Sequence, residues 1–209
     1  MLNLDEKLHH LSQVCRWISA KGLTPATAGN FSHRFDHESA FVSASGIDKE
    51  KIAPESFLRM YYDGRFEHPQ LKPSAESYLH LKIYELLPEV ECVLHVHSKP
   101  TTILTQISQK NFITLEGLEL LKSLRGIETH DALVNLPILD NHQDMRFLAN
   151  KLHELHDTQK LAYGFFLKGH GLYTWGNSIN EAKRHVEGIE FLMDCMLQMK
   201  LLGHGSSND

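Results

Sequence analysis

The chain has 209 residues and a mass of 23.9 kDa, with 42% hydrophobic and 22% charged residues. That is enough apolar material for a sizeable core, and it excludes a disordered tail, a collagen-like fibre and a coiled-coil rod. With 21 Lys and Arg against 26 Asp and Glu the net charge is −5, so no global field draws the chain to nucleic acid or anionic lipid.

Leu4, Leu8, Leu11, Cys15 and Ile18 recur at helical spacing, and Gly22 supplies a stop. Residues 24–30, small and Gly/Pro-bearing, read as a loop. Short strands are expected over Phe31–Phe35, Phe41–Ser45 and Phe57–Tyr62. Ser74–Leu87 reads as a helix with Ser74 as N-cap, Glu76 in its first turn and Pro88 as terminator. A strand over Glu91–His97 precedes a helix opened by Lys99-Pro100, and a short strand at Ile113-Thr114 precedes a helix over Leu118–Leu124.

Ala132–Ile138 looks extended, Asp144–His156 helical, and Leu161–Leu167 a central strand broken by Gly169-His170-Gly171. Leu172–Trp175 continues extended. Ser178-Ile179-Asn180-Glu181 has the capping-box pattern and opens a helix to about Leu202, with a frayed tail at 203–209. No linker divides residues 1–209. Interleaved helices and short, hairpin-like strands predict one α/β domain with a mixed sheet covered on both faces.

Cys15, Cys92 and Cys195 form no CxxC pair and read as buried thiols in a reducing compartment. The opening MLNLDEKLHH has no apolar signal core, and no apolar run reaches the length of a membrane span. A cytoplasmic protein with no membrane and no nucleic-acid partner is the expectation.

Chemistry concentrates at a few places. In a strand, residues i and i+2 share a face, so His95 and His97 of VLHVHS project together and can bind a transition metal. The alternative is two histidines on a half-exposed strand. His170, between two glycines at a strand end, is placed to be a third ligand, or else belongs to a solvent-exposed turn. Three histidines with an open position describe a catalytic divalent site. The segments Ala28-Gly29-Asn30, Ser43-Ala44-Ser45-Gly46 and Lys72-Pro73-Ser74-Ala75 suit either phosphate or ordinary turns. Glu76 lies on the helix before the HxH strand and Glu119 lies 22 residues beyond His97, although composition alone does not pick these two out of the 26 acids.

Taken together, ATAGNFS at 26–32, VSASGIDK at 42–49, KPSAES at 72–77, VLHVHS at 93–98, LEGLELLKSLRGIETHD at 115–131 and KGHGLYTWG at 168–176 resemble the class II aldolase/adducin family over nearly the whole chain. The LEGLELLK, PILDNHQD and GHGLYTWG segments look most like its dehydratase branch, which acts on a methylthio-substituted ketopentose 1-phosphate in methionine salvage. The resemblance implies a three-layer α/β/α domain with a mixed, mostly antiparallel sheet, and one Zn²⁺ per subunit on His95, His97 and His170. It also implies Glu119 as proton donor and acceptor, Lys122 neutralising phosphate, and Asn30, Ser45, Gly46 and Ser74 as the phosphate cradle. Glu76 occupies the place of the family aldolases' catalytic glutamate, although their PSSE reads PSAE here. The family's members are commonly tetramers with active sites near subunit contacts, so a homotetramer is expected. A sugar-phosphate aldolase or pentulose-phosphate epimerase, and a non-catalytic adducin-like module, are the alternatives.

Overall fold

A computed structural model describes residues 3–158 and 161–203. Its first helix, α1 (Leu4–Ala20), starts at an Asn3/Glu6 capping box, in which each side chain accepts from the other residue's backbone N–H. The strands are β1 (Asn30–Arg34), β2 (Ser39–Ser43), β3 (Phe57–Tyr61), β4 (Phe66–Glu67), β5 (Cys92–Val96), β6 (Phe112–Leu115), β7 (Val134–Leu139), β8 (Gly164–Leu167) and β9 (Gly171–Gly176). The remaining helices are α2 (Ser77–Leu86), α3 (Lys99–Ile107), α4 (Met145–Asp157) and α5 (Ile179–Leu201).

The strands form one sheet in the order β4-β3-β2-β1-β5-β9-β8-β7-β6, antiparallel throughout except between β7 and β8. This is the mixed, mostly antiparallel sheet expected. Side chains alternate between its faces. Phe31, Leu94, Val96 and Leu172 pack with α1, α3 and α5 on one side; Val93, Phe165, Tyr173 and Trp175 pack with α2 and α4 on the other. The result is three layers.

Four local expectations need correction. α2 begins at Ser77 with Glu76 in the cap position, not at Ser74. Pairing of Ala44 with Pro73 and the Ser45 N–H to Lys72 C=O bond (2.9 Å) hold residues 72–74 against the β2 exit and keep them out of the helix. Residues Glu119–Ser123 form a 3-10 turn, not an α-helix. The segment sits between Gly117 and Gly126, both at positive φ, and so short a stretch cannot repay helix nucleation. Glu181 Oε2 accepts from Asn177 N–H rather than Ser178 N–H, so the box at α5 is not reciprocal, although Ser178 caps as expected. Cys195 is half-buried on α5, whereas Cys15 and Cys92 are buried. The two-residue edge strand β4 carried no sequence signal, and the tail expected at 203–209 lies, from residue 204, outside the described residues.

Candidate metal centre

The site grows from one row across the sheet. Asn30 of β1 and Tyr173 of β9 are the register partners of His95, and Phe165 of β8 is the partner of Tyr173. Strand parity turns the row toward α2. Tyr173 stacks on His95 at 3.9 Å between centroids, and Phe165 stacks on Tyr173 at 4.8 Å, so the imidazole cannot rotate freely. Its Nδ1 lies 2.9 Å from the Leu172 carbonyl, which fixes the proton on Nδ1 and leaves the Nε2 lone pair free.

His97 follows the end of β5, where its N–H donates to Leu23 C=O at 2.9 Å. His170 rides on the turn joining β8 to β9. Thr105 Oγ1 accepts from Gly169 N–H, and Thr102 Oγ1 donates to His170 C=O, both at 3.0 Å, so α3 anchors the turn. Gly169 has φ +63°, and a Cβ on Gly171 would lie 2.3 Å from Val96 O, which is why both flanking positions are glycine. Ring centroids of His95, His97 and His170 are 4.5–5.1 Å apart.

Glu76 enters from the N-terminal cap of α2. Its Oε1 is 3.2 Å from His170 Nε2, and its Oε2 is 3.7 Å from His95 Nε2 and 2.6 Å from Asn30 Nδ2, which donates to it. One ligand atom from each of Glu76, His95, His97 and His170 falls within 4.8 Å of the others. Burial pushes His95 well below the usual imidazole range and His97 down to about 4, so both are neutral at physiological pH. Burial pushes the Glu76 carboxyl upward, but the His170 hydrogen bond and the charges of His95, His170 and His97 outweigh it and hold it at about 2. Buried Nε2 atoms of His95 and His97 and Nδ1 of His170 have no hydrogen-bond partner in the structure. The unpartnered Nε2 atoms of neutral His95 and His97, converging with His170 beside an ionised carboxylate, fit a divalent transition ion.

The phosphate-loop candidates also converge. Asn30 bonds Glu76, Ser74 Oγ accepts from Glu76 N–H at 3.3 Å, and Ser45 donates its N–H to Lys72; Ser45 and Gly46 are exposed beside them. Lys49, unnoticed in the sequence, is 3% exposed and donates to Thr27 C=O (3.1 Å) and Ile47 C=O (2.9 Å). It ties the 24–29 loop, where Ala26 and Thr27 sit at φ +51° and +65°, to the loop following β2. Glu190 was missed too. Buried on α5, it accepts from Ser98 Oγ and Thr101 Oγ1 under the first turn of α3. A lone Lys or Glu in a polar or amphipathic stretch gives no signal of burial.

Glu119 and Lys122 lie elsewhere. The Glu119 side chain is 70% exposed on its 3-10 turn, bonded to Lys122 Nζ at 2.6 Å and 3.5 Å from His130 Nδ1. The Lys122 bond lowers its pKa. Its contacts are to these two residues rather than to His95, His97 or His170.

The sequence model described as the class II aldolase and adducin N-terminal domain matches residues 9–197. The chain is 42% identical over 205 residues to a methylthioribulose-1-phosphate dehydratase of Yersinia pseudotuberculosis, covering 98% of this chain and 92% of that one. It is 44% identical over 196 residues to the protein of that name in Yersinia enterocolitica, with 94% and 93% coverage. Among solved structures, YgbL from Klebsiella pneumoniae superposes with a TM-score of 0.82 at 17% identity, covering 100% of this chain and 94% of that one. L-fuculose-1-phosphate aldolase from Thermus thermophilus does so at 0.74 and 22%, covering 94% and 96%. Those two likenesses concern the fold.

Proposed function

The chain belongs to the class II aldolase and adducin family, and from that premise we propose that it is a methylthioribulose-1-phosphate dehydratase, a hydro-lyase. It converts 5-methylthioribulose 1-phosphate to 2,3-diketo-5-methylthiopentyl 1-phosphate in methionine salvage. Identity above 40% along nearly the whole chain to relatives of that name carries the reading. We further read residues 1–209 as one domain, the ion as one Zn²⁺ per subunit, the assembly as a homotetramer and the compartment as the cytoplasm. Neither nucleic acid nor membrane is a partner in this reading; among the described residues no helix is long and apolar enough to cross a membrane.

His95, His97 and His170 hold the ion, with the Leu172 carbonyl setting the tautomer of His95. When bound, such an ion supplies Lewis acidity to the substrate's C2 and C3 oxygens. Ionised Glu76, steered by Asn30, faces the same nitrogens and places a negative charge beside the ion they hold. Asn30, Ser45, Gly46 and Ser74 bind the phosphate through short polar side chains and the Gly46 backbone N–H, the Ser45 N–H being donated to Lys72 C=O. Glu119 serves as proton acceptor and donor: its carboxylate, which Lys122 favours in the ionised form, takes up a proton before delivering it to the departing C4 hydroxyl. Within the subunit its contacts are Lys122 and His130, so this role requires a neighbouring copy in the proposed tetramer to bring Glu119 to the cluster and Lys122 to the phosphate.

A second reading has one observation in its favour. Glu76, not Glu119, stands among the imidazoles, as an aldolase or epimerase would require. An adducin-like scaffold has no use for unspent imidazole lone pairs. Incubating zinc-loaded protein with 5-methylthioribulose 1-phosphate decides: the diketone is expected, and carbon–carbon cleavage or a C4 epimer without diketone overturns the dehydratase reading.

A further inference from the structure

A cavity of about 550 Å³ opens on His97 and His170, walled by Pro25, Thr102 and Ile103 with Ser98, Lys99 and Asn141. It touches the cluster only through those two imidazoles. Glu76, Asn30, Ser45 and Ser74 do not line it, so it lies on a different flank from the converging phosphate loops.

Its interior is less polar than its residue names suggest. The Ser98 hydroxyl donates to Glu190 and accepts from Thr101 N–H, and the Thr102 hydroxyl donates to His170 C=O. Those groups are spent. What remains beside the imidazoles is the Pro25 ring, the Thr102 methyl and Ile103, which is 42% exposed. Lys99 and Asn141 are exposed and mark the mouth. An apolar wall with polar groups only at the rim suits an uncharged thioether and offers little to a dianion.

We propose that this cavity is the subsite for the substrate's methylthio end, with Ile103 as a specificity-determining residue. The assignment rests on the dehydratase reading. A ketopentose phosphate whose C2 and C3 oxygens face the cluster, with C1 phosphate toward Asn30 and Ser74, directs C5 to the opposite flank. That flank is the one His97 and His170 share with Ile103. Burying the sulfur and methyl there takes apolar surface of both partners out of water, a gain that a 5-hydroxyl cannot match.

The test compares 5-methylthioribulose 1-phosphate with ribulose 1-phosphate, which carries a hydroxyl in place of the thioether. Wild-type protein, Ile103→Asp and Ile103→Leu are assayed at equal metal content, with kcat/KM and the thermal-shift midpoint read for each compound. Wild type is expected to favour the thioether by roughly 10-fold or more, the range set by small apolar groups in hydrophobic pockets. Ile103→Asp should erase most of that preference while changing the hydroxyl compound about threefold or less, and Ile103→Leu should restore it. Equal losses on both compounds in Ile103→Asp overturn the assignment, since they mean that phosphate fills the cavity or that Ile103 is merely structural. Wild type forming no diketone defeats the dehydratase reading instead. The thermal-shift arm then decides the pocket alone: a thioether preference lost in Ile103→Asp supports it, and no preference in wild type overturns it.

Discussion

His80 offers a quantitative check on the buried face of the sheet. It lies on α2, 1% exposed, with Nδ1 2.7 Å from Ser32 Oγ, which is itself 2.7 Å from Tyr84 Oη. Its Nε2 has no partner. Burial pushes the imidazole down to about 3, against an ordinary value of about 6.5 in the unfolded chain. The folded state therefore resists a proton that the unfolded state accepts. The stability at stake is fully present above about pH 6.5 and is lost as pH falls toward about 3. At about pH 5 the unfolded imidazole is almost wholly protonated and the folded one almost wholly neutral, a difference of about 2 kcal/mol for this one group. That is a large share of the roughly 5–15 kcal/mol by which a domain is stable. His80→Asn keeps an acceptor for the Ser32 hydroxyl and removes the titration. Urea unfolding of metal-free protein at about pH 7.5 and 5 should show the variant losing about 2 kcal/mol less than wild type on acidification. Taking the difference between pH values cancels any fixed cost of the substitution. If both proteins lose the same amount with unchanged m-values, the argument from burial fails.

Three further outcomes are expected. His97→Ala should lose most bound metal as measured by elemental analysis, because a three-imidazole site cannot hold the ion equally well with two; stoichiometric metal in that variant would refute the ligand assignment. Glu119→Gln should lower kcat by roughly 10²–10⁴ with metal retained, whereas Glu76→Gln should cost less in kcat and show up as weaker metal binding, and the reverse pattern would hand the acid–base role to Glu76. Lys49→Met removes both hydrogen bonds joining the two loops while keeping an apolar stem, so KM for the phosphorylated substrate should rise about 5-fold or more with kcat within about threefold; unchanged KM would separate Lys49 from substrate binding.

Much of this was written locally in the chain. The 4-3-4-3 spacing of α1, the alternation of β5, the Pro100 and Asp144 helix openings and the glycines around His170 each depend on residues a few positions apart. So does the shared face of His95 and His97, which follows from the two-residue period of a strand. What joined them did not. Asn30 meets Glu76 across 46 positions, Tyr173 stacks on His95 across 78, and Lys49 bridges loops that look like ordinary turns in isolation. The register β1-β5-β9 sets that row, and no local pattern encodes which strands become neighbours. Glu76 was legible only as an acid near a helix start; it became part of the centre because pairing at Ala44 and Pro73 delayed α2 until Ser77 and left the carboxylate at the cap, facing the imidazoles. The Leu118–Leu124 expectation failed for the complementary reason. Its apolar spacing asked for burial of Leu121 and Leu124, and a 3-10 turn between two glycines meets that demand against α5 without the nucleation cost of an α-helix. Periodicity determines which side chains share a face, whereas long-range backbone pairing determines what that face meets.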